Sequence, residues 1–234
     1  METRNVEISA LRTLRSGLLY LLVGIIMFVI AAEAGFLFSV YLFFDALIEP
    51  AGIMGALIVF GLLMLVSLVI SLYAIFGKIR PGIRQLSQID SGFRICYTGT
   101  TLMIAGLLIV VSGLVVAAIT GAVEERPAIA ALGGSMLAFG VIMIGGIISL
   151  IGYILTFMLG AFRLHSRYQN SLYMAAGILF VVDILLTFLG LGGVLTAFVG
   201  LGRILAAVGY VLMYKALGDT INKLSTATTT PAQA

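Results

Sequence analysis

The chain has 234 residues, 62% of them hydrophobic and only 10% charged, with a net charge of +3. A mean hydropathy of +1.21 lies far outside the soluble range, so the bilayer is the expected solvent and little chain remains for a folded soluble domain. The single cysteine, Cys96, excludes an intramolecular disulfide framework, and the basic residues sit almost entirely at helix ends, where membrane topology explains them without a nucleic-acid partner.

Met1 to Ser16 is polar, and the apolar run behind it is too long for a cleavable signal core. Residues 1–16 therefore read as a cytoplasmic N-terminal segment before a permanent first helix. The run Gly17 to Ile48 is interrupted by Glu33 and Asp45 and closed by Glu49-Pro50. It would measure about 48 Å, too long for one perpendicular crossing and too short for two plus a turn, so it reads as one long helix, tilted or protruding. The second helix spans about Gly52 to Phe76. GKIRPGIRQLSQIDSGFR, Gly77 to Arg94, follows as a polar connection with a proline break, and a third helix runs from Ile95 to about Gly121.

Glu124-Glu125-Arg126-Pro127 marks a polar turn, with proline suited to the first turn of a fourth helix, Ala128 to about Phe162. Arg163, His165 and Arg167 end that helix. The fifth covers Leu172 to Leu189, and Gly190-Leu191-Gly192-Gly193 turns into a sixth that ends near Lys215 to Leu217. Residues 218–234 read as a cytoplasmic tail, largely disordered, because Ser225 to Ala234 is small, polar and proline-containing. The predicted fold class is all-α: a six-helix membrane bundle in residues 17–217, built as three consecutive helical hairpins.

Of the 13 basic residues, Arg4, Arg12, Arg15, Lys78, Arg80, Arg84, Arg94, Arg163, Arg167, Lys215 and Lys223 fall on one side of this map. The opposite connections hold Asp45, Glu49, Glu124 and Glu125 against Arg126 alone. The positive-inside rule then places both termini in the cytoplasm, with the plasma membrane as the expected location. Tyr20, Tyr73, Tyr97, Tyr168, Tyr173 and Tyr214 fall near the cytoplasmic interface and Tyr41 near the outer one, where an amphipathic ring is best accommodated.

Small residues recur every seven positions: Gly17, Gly24 and Ala31; Gly99, Gly106 and Gly113; Gly133 and Gly140; Gly202, Gly209 and Ala216. That step keeps them on one face of left-handed packed helices, where close backbone approach drives association in lipid. Intrachain packing and a homo-oligomeric seam, most plausibly on the third helix, both satisfy the pattern.

Three ionisable residues, Glu33, Asp183 and Arg203, fall within apolar spans, where each costs about 2.5–3.5 kcal/mol on insertion scales unless it faces protein or water. At 1.5 Å per residue Asp183 lies about 16 Å above Leu172, and Arg203 about 18 Å above Lys215. They share one level on helices joined by a tight turn, so a salt bridge between them is expected. Glu33, about 24 Å above Gly17, has no such partner and is the titratable candidate for a proton- or ion-coupled site, unless the overlong first helix carries it to the outer interface.

Catalytic constellations are missing. The only histidine, His165, lies in a basic connection, and no phosphate loop, HExxH zinc motif or GxSxG elbow occurs. Neither a cofactor, a metal nor an enzyme activity is expected. The basic stretch Lys78 to Arg94 is open to two readings, a contact with anionic headgroups or simple topology.

The opening LRTLRSGLLYLLVG, Leu11 to Gly24, resembles that of a family of small polytopic membrane proteins of unknown function from thermoacidophilic archaea, and the glycine-rich spans and short Thr/Pro/Gln tail are compatible with it. The resemblance implies an archaeal plasma membrane setting and no mechanism. Two functions are open: a small transporter or channel with a polar site at Glu33, Asp183 and Arg203, or a structural or accessory subunit that oligomerises through glycine faces such as Gly99, Gly106, Gly113, Gly202 and Gly209. Membrane lipid, and a second copy or a membrane-complex partner, are the expected neighbours.

Overall fold

A computed structural model describes the backbone of residues 2–44, 50–121, 128–191 and 196–226, and the side chains of 3–31, 33–35, 59–117, 119, 136–189 and 201–226. Asp45, Glu49, Glu124, Glu125 and Arg126, the charges of the connections opposite the basic end, lie outside the described residues, as do the Gly192-Gly193 turn and tail residues 227–234. Regular structure in the described residues is helical throughout: α1 (Glu2–Phe44), α2 (Pro50–Tyr73), α3 (Arg80–Ile89), α4 (Arg94–Gly121), α5 (Ala128–Tyr153), α6 (Leu159–Tyr168), α7 (Ser171–Leu191) and α8 (Thr196–Thr226). A π-helical turn, Ala74–Ile79, joins α2 to α3, and another, Ile154–Met158, joins α5 to α6. Six helical stretches of the described residues are long and apolar enough to cross a bilayer: Thr3–Gly35, Val59–Ile89, Ser91–Ala117, Met136–Tyr168, Ser171–Leu189 and Leu201–Thr226. The protein is an all-α membrane bundle in which α1/α2, α4/α5 and α7/α8 pack as hairpins, and α1 also packs against α8 and α3.

Helix ends at the basic side differ from the sequence reading. Residues 77–94 are not a polar loop, because α2 continues through its π turn into α3. Ile79, Ile83 and Leu86 are buried on one face while Arg84 and Gln88 are exposed on the other, so this polar stretch is an amphipathic helix. Pro81 falls in the first turn of α3, directly after the π turn, and does not break the continuous helix. The N-terminal segment is helical from Glu2, and Leu11, Leu14 and Leu18 carry its buried face. The last helix runs past Leu217 to Thr226 because Leu217 and Ile221 are buried against the same core.

These extensions pack into a cap at the basic end, where the core is concentrated. It takes Ala10 to Leu21 from α1, Ile79 to Leu86 from the α3 region, Leu164 from α6 and Tyr210 to Ile221 from α8. Arg167 ties the cap together: its Nη2 lies 2.8 Å from Glu7 Oε1 and its Nη1 3.0 Å from Asp90 Oδ2. The Tyr168 hydroxyl donates to the same Glu7 oxygen at 2.6 Å, and Arg4 Nη2 donates to the Leu224 carbonyl at 2.6 Å, joining α1 to α8. Asp90 also accepts the Gly92 N–H at 2.8 Å. That backbone bond, with Arg167 beside it, holds the Asp90 carboxyl below its ordinary value.

Closely approached backbones hold the spans. A side chain at Gly106 would come closer than 3.0 Å to the backbone of Ser149 and Gly145 on α5, and Gly99 and Gly113 meet Thr156 and Ile142 on the same hairpin partner. The glycine face of α4 is therefore occupied within this chain. On α1, Gly24 makes room for α2, whose Ser67 hydroxyl donates to the Gly24 carbonyl at 2.7 Å. Many large apolar side chains on the spans, such as Leu62, Leu108, Phe139 and Leu185, point outward, as a lipid-facing surface requires.

Candidate functional site

The polar residues of the apolar spans converge on α1, α5, α7 and α8. Asp183, on α7, is half-buried, and the Tyr153 hydroxyl of α5 donates to its Oδ2 at 3.2 Å. Tyr210, on α8, is 3% exposed and lines the same cavity as Tyr153 and Asp183. The rings of Tyr153, Phe157, Phe180 and Tyr210 form one cluster, with Phe180 and Tyr210 tilted at 4.9 Å and Phe157 and Tyr210 edge-to-face at 5.1 Å between centroids. Such packing fixes the ring positions, so the Tyr153 hydroxyl is presented to Asp183 in one geometry. Gly202 completes the nest: a Cβ there would lie 3.0 Å from Asp183 Oδ1, and glycine leaves that space to the carboxylate.

The expected salt bridge between Asp183 and Arg203 is not formed. The ion pairs among the described residues are those of Arg167 with Glu7 and Asp90. Rise along the helix fixes depth but not azimuth, and Arg203 turns outward, where its guanidinium lies over the Phe28 ring at 5.9 Å. Asp183 and Arg203 instead line one cavity of about 580 Å³, together with Phe28, Ser67, Tyr153 and Tyr210. A second cavity of about 570 Å³ lies between α1 and α8 and has Glu33 and Arg203 in its wall. Arg203 thus borders both, and all three ionisable residues singled out from sequence meet around it. Glu33 is exposed and shares a cavity with a cation, so it is less isolated than its position in the sequence suggests.

Gly202 and Gly209 pack against α7, Gly202 at Asp183 and Leu186 and Gly209 at the Phe180 ring. His165 Nδ1 lies 2.9 Å from the Asn170 carbonyl and belongs to the turn between α6 and α7, where Gln169 takes a left-handed conformation at φ 51°. Among the described residues no group of three His, Cys, Asp or Glu side chains is placed to hold a metal ion.

Residues 7–234 match the family described as "Protein of unknown function (DUF973)". The chain belongs to that family. No curated protein and no solved structure matches it. Chemically, the first cavity offers one carboxylate with a hydroxyl donor and a guanidinium, and the second offers another carboxylate with the same guanidinium in its wall. Ionisable groups within apolar spans face protein or a cavity rather than lipid, as these do.

Sequence reasoning missed Tyr153 and Tyr210, because a tyrosine in an apolar run carries no pattern of its own. Depth alone offered one signal. Tyr153 lies about 15 Å from Arg163 at the basic end of its helix, close to the level computed for Asp183.

Proposed function

We propose that this chain is a small, non-enzymatic carrier or channel whose polar site is the cavity bordered by Asp183, Tyr153, Tyr210 and Arg203. The observation that carries this reading is the Asp183 carboxylate, held by a tyrosine hydroxyl at the wall of a cavity within the spans and left without a direct cationic partner. A structural salt bridge would have consumed that charge, whereas a carboxylate open to a cavity can exchange a proton or a cation. Glu33, across Arg203, supplies a second exchangeable group.

The test is flux in vesicles reconstituted with the purified chain, measured over a panel of monovalent cations, divalent cations and protons. Wild-type flux that falls at least about tenfold in Asp183→Asn supports the reading. If wild type passes none of the panel, the structural or accessory role becomes the better account. In that case the contact face lies elsewhere than the Gly99–Gly106–Gly113 stripe, which α5 fills, and Gly140 and Gly146, with no atom within 4 Å of a built Cβ, are on the free side of the same hairpin.

The basic cap faces the cytoplasm of the plasma membrane in this reading, since Arg and Lys cluster there. Thiols introduced at Arg84 and at Glu125 decide the orientation in intact cells. An impermeant reagent that modifies the first and spares the second inverts it.

A further inference from the structure

The groove between α1 and α8 extends well beyond the two charged residues that the carrier reading uses. Its wall on α1 runs from Leu22 to Glu33, about 16 Å at helical rise, and its wall on α8 runs from Arg203 to Val211. Both charged residues stand at one end, and everything toward the basic cap is aliphatic. Ile26, Ile30, Ile204 and Val208 on its rims are exposed, so the groove opens sideways to hydrocarbon. Arg203 lies about 10 Å along α8 from its start at Thr196, within reach of the interface opposite the basic cap for a long, flexible side chain. Glu33 and Arg203 both line the polar end of this groove, and no ion pair joins them among the described residues.

We infer that this groove seats one bilayer phospholipid of the leaflet opposite the basic cap, with its phosphate on Arg203, an ammonium of its headgroup on Glu33, and an acyl chain along the aliphatic wall. Orientation agrees: the polar end faces that leaflet's surface and the apolar end the bilayer interior. Charge agrees as well. Arg203 borders an aliphatic groove without an ion-pair partner among the described residues, and a phosphate offers its planar fork a bidentate partner. An ammonium carried on the same headgroup meets the acid that a purely anionic lipid would leave facing a like charge. The inference does not rest on solute transport, because a seated lipid is read by binding in the absence of flux.

The chain is purified in mild detergent, stripped of lipid, and titrated with phosphatidylethanolamine, phosphatidylglycerol and diacylglycerol of identical chains, bound lipid being counted by native mass spectrometry. Wild type is expected to bind phosphatidylethanolamine at least about tenfold tighter than diacylglycerol and tighter than phosphatidylglycerol. Arg203→Gln should abolish the advantage over diacylglycerol. Glu33→Gln should keep binding but erase the preference between the two phospholipids. Ala207→Phe, which fills the groove from α8 and leaves both charges in place, should lose all three lipids, and its melting temperature against wild type verifies folding. Phosphatidylethanolamine bound by wild type no better than diacylglycerol or phosphatidylglycerol, or binding unchanged in Arg203→Gln or in folded Ala207→Phe, overturns the assignment.

Discussion

Tyr153 and Asp183 are joined by a hydrogen bond between two different hairpins, the α5 hydroxyl donating to the α7 carboxylate at 3.2 Å. The third hairpin therefore owes its placement beside the second partly to one polar contact within the apolar spans. Tyr153→Phe removes the donor and keeps the ring in its aromatic cluster, so packing is spared. The expected loss is about 0.5–1.5 kcal/mol, the range for interhelical hydrogen bonds in membranes, measured by unfolding in detergent. Asp183→Asn should couple to it in a double-mutant cycle; strictly additive losses would show that the bond carries no energy.

Arg167 is the second cross-link and acts at the cap. Its two ion pairs are 13–36% exposed at their side chains, so screening limits them, but three segments distant in sequence depend on one guanidinium. Arg167→Met should lower stability by about 1–2 kcal/mol, and more at low salt than at high. The pH dependence has a definite sign. The native Asp90 carboxyl sits below its ordinary value, first through the Gly92 N–H and then through Arg167. Its contribution is complete above the unfolded value and is lost as the pH falls through the lowered native one. Melting temperature followed down that range should fall less in Asp90→Asn than in wild type, and parallel curves would refute the assignment.

The sequence made the spans legible because hydropathy reports directly on the solvent, and lipid-facing Leu62 or Phe139 need no partner to be recognised. It made the cap illegible for the converse reason. Arg80, Arg84, Gln85 and Gln88 read as a loop until Ile83 and Leu86 are seen to face Leu14 and its neighbours, since amphipathic periodicity over ten residues is weak evidence beside a proline. At the site, rise alone brought Asp183 and Arg203 to one level. Only the rotation of α8, set by Gly202 and Gly209 against α7, decides that Arg203 faces Phe28 and the cavities rather than the carboxylate.

Thr156, in the second π turn, is 1% exposed, and its hydroxyl finds no hydrogen-bond partner among the described residues. The widened turn leaves Oγ1 against the Gly99 face of α4 instead of a carbonyl. A buried hydroxyl without a partner loses its hydration for nothing in return, so Thr156→Val, of nearly equal shape, should be neutral or stabilising by up to about 1 kcal/mol. A loss of more than that amount would mean the hydroxyl is bonded in the membrane after all.

Glycines of α4 and α5 separate tight contacts from empty ones, and alanine is the probe that tells them apart. At Gly106 a methyl group would meet the backbone of Ser149 and Gly145 closer than 3.0 Å, and backbone cannot swing aside as a side chain can. The helices must separate, and every close contact along the α4/α5 seam weakens with them, including Gly145 and Gly152, which face Gly106 and Met103 from the other side. Gly106→Ala should cost about 1–3 kcal/mol, the usual penalty for overpacking, and Gly106→Leu more. At Gly146 nothing lies within 4 Å of the added carbon. Gly146→Ala removes backbone freedom from the unfolded helix and meets no clash, so it should gain about 0.5–1 kcal/mol. The comparison uses one helix pair, one detergent and one substitution, so opposite signs can come only from local space. Equal losses at the two positions would show that the close approach at Gly106 does not hold the hairpin, whereas a loss at Gly146 alone would reveal a neighbour on that face, which cross-linking through a cysteine placed there would capture.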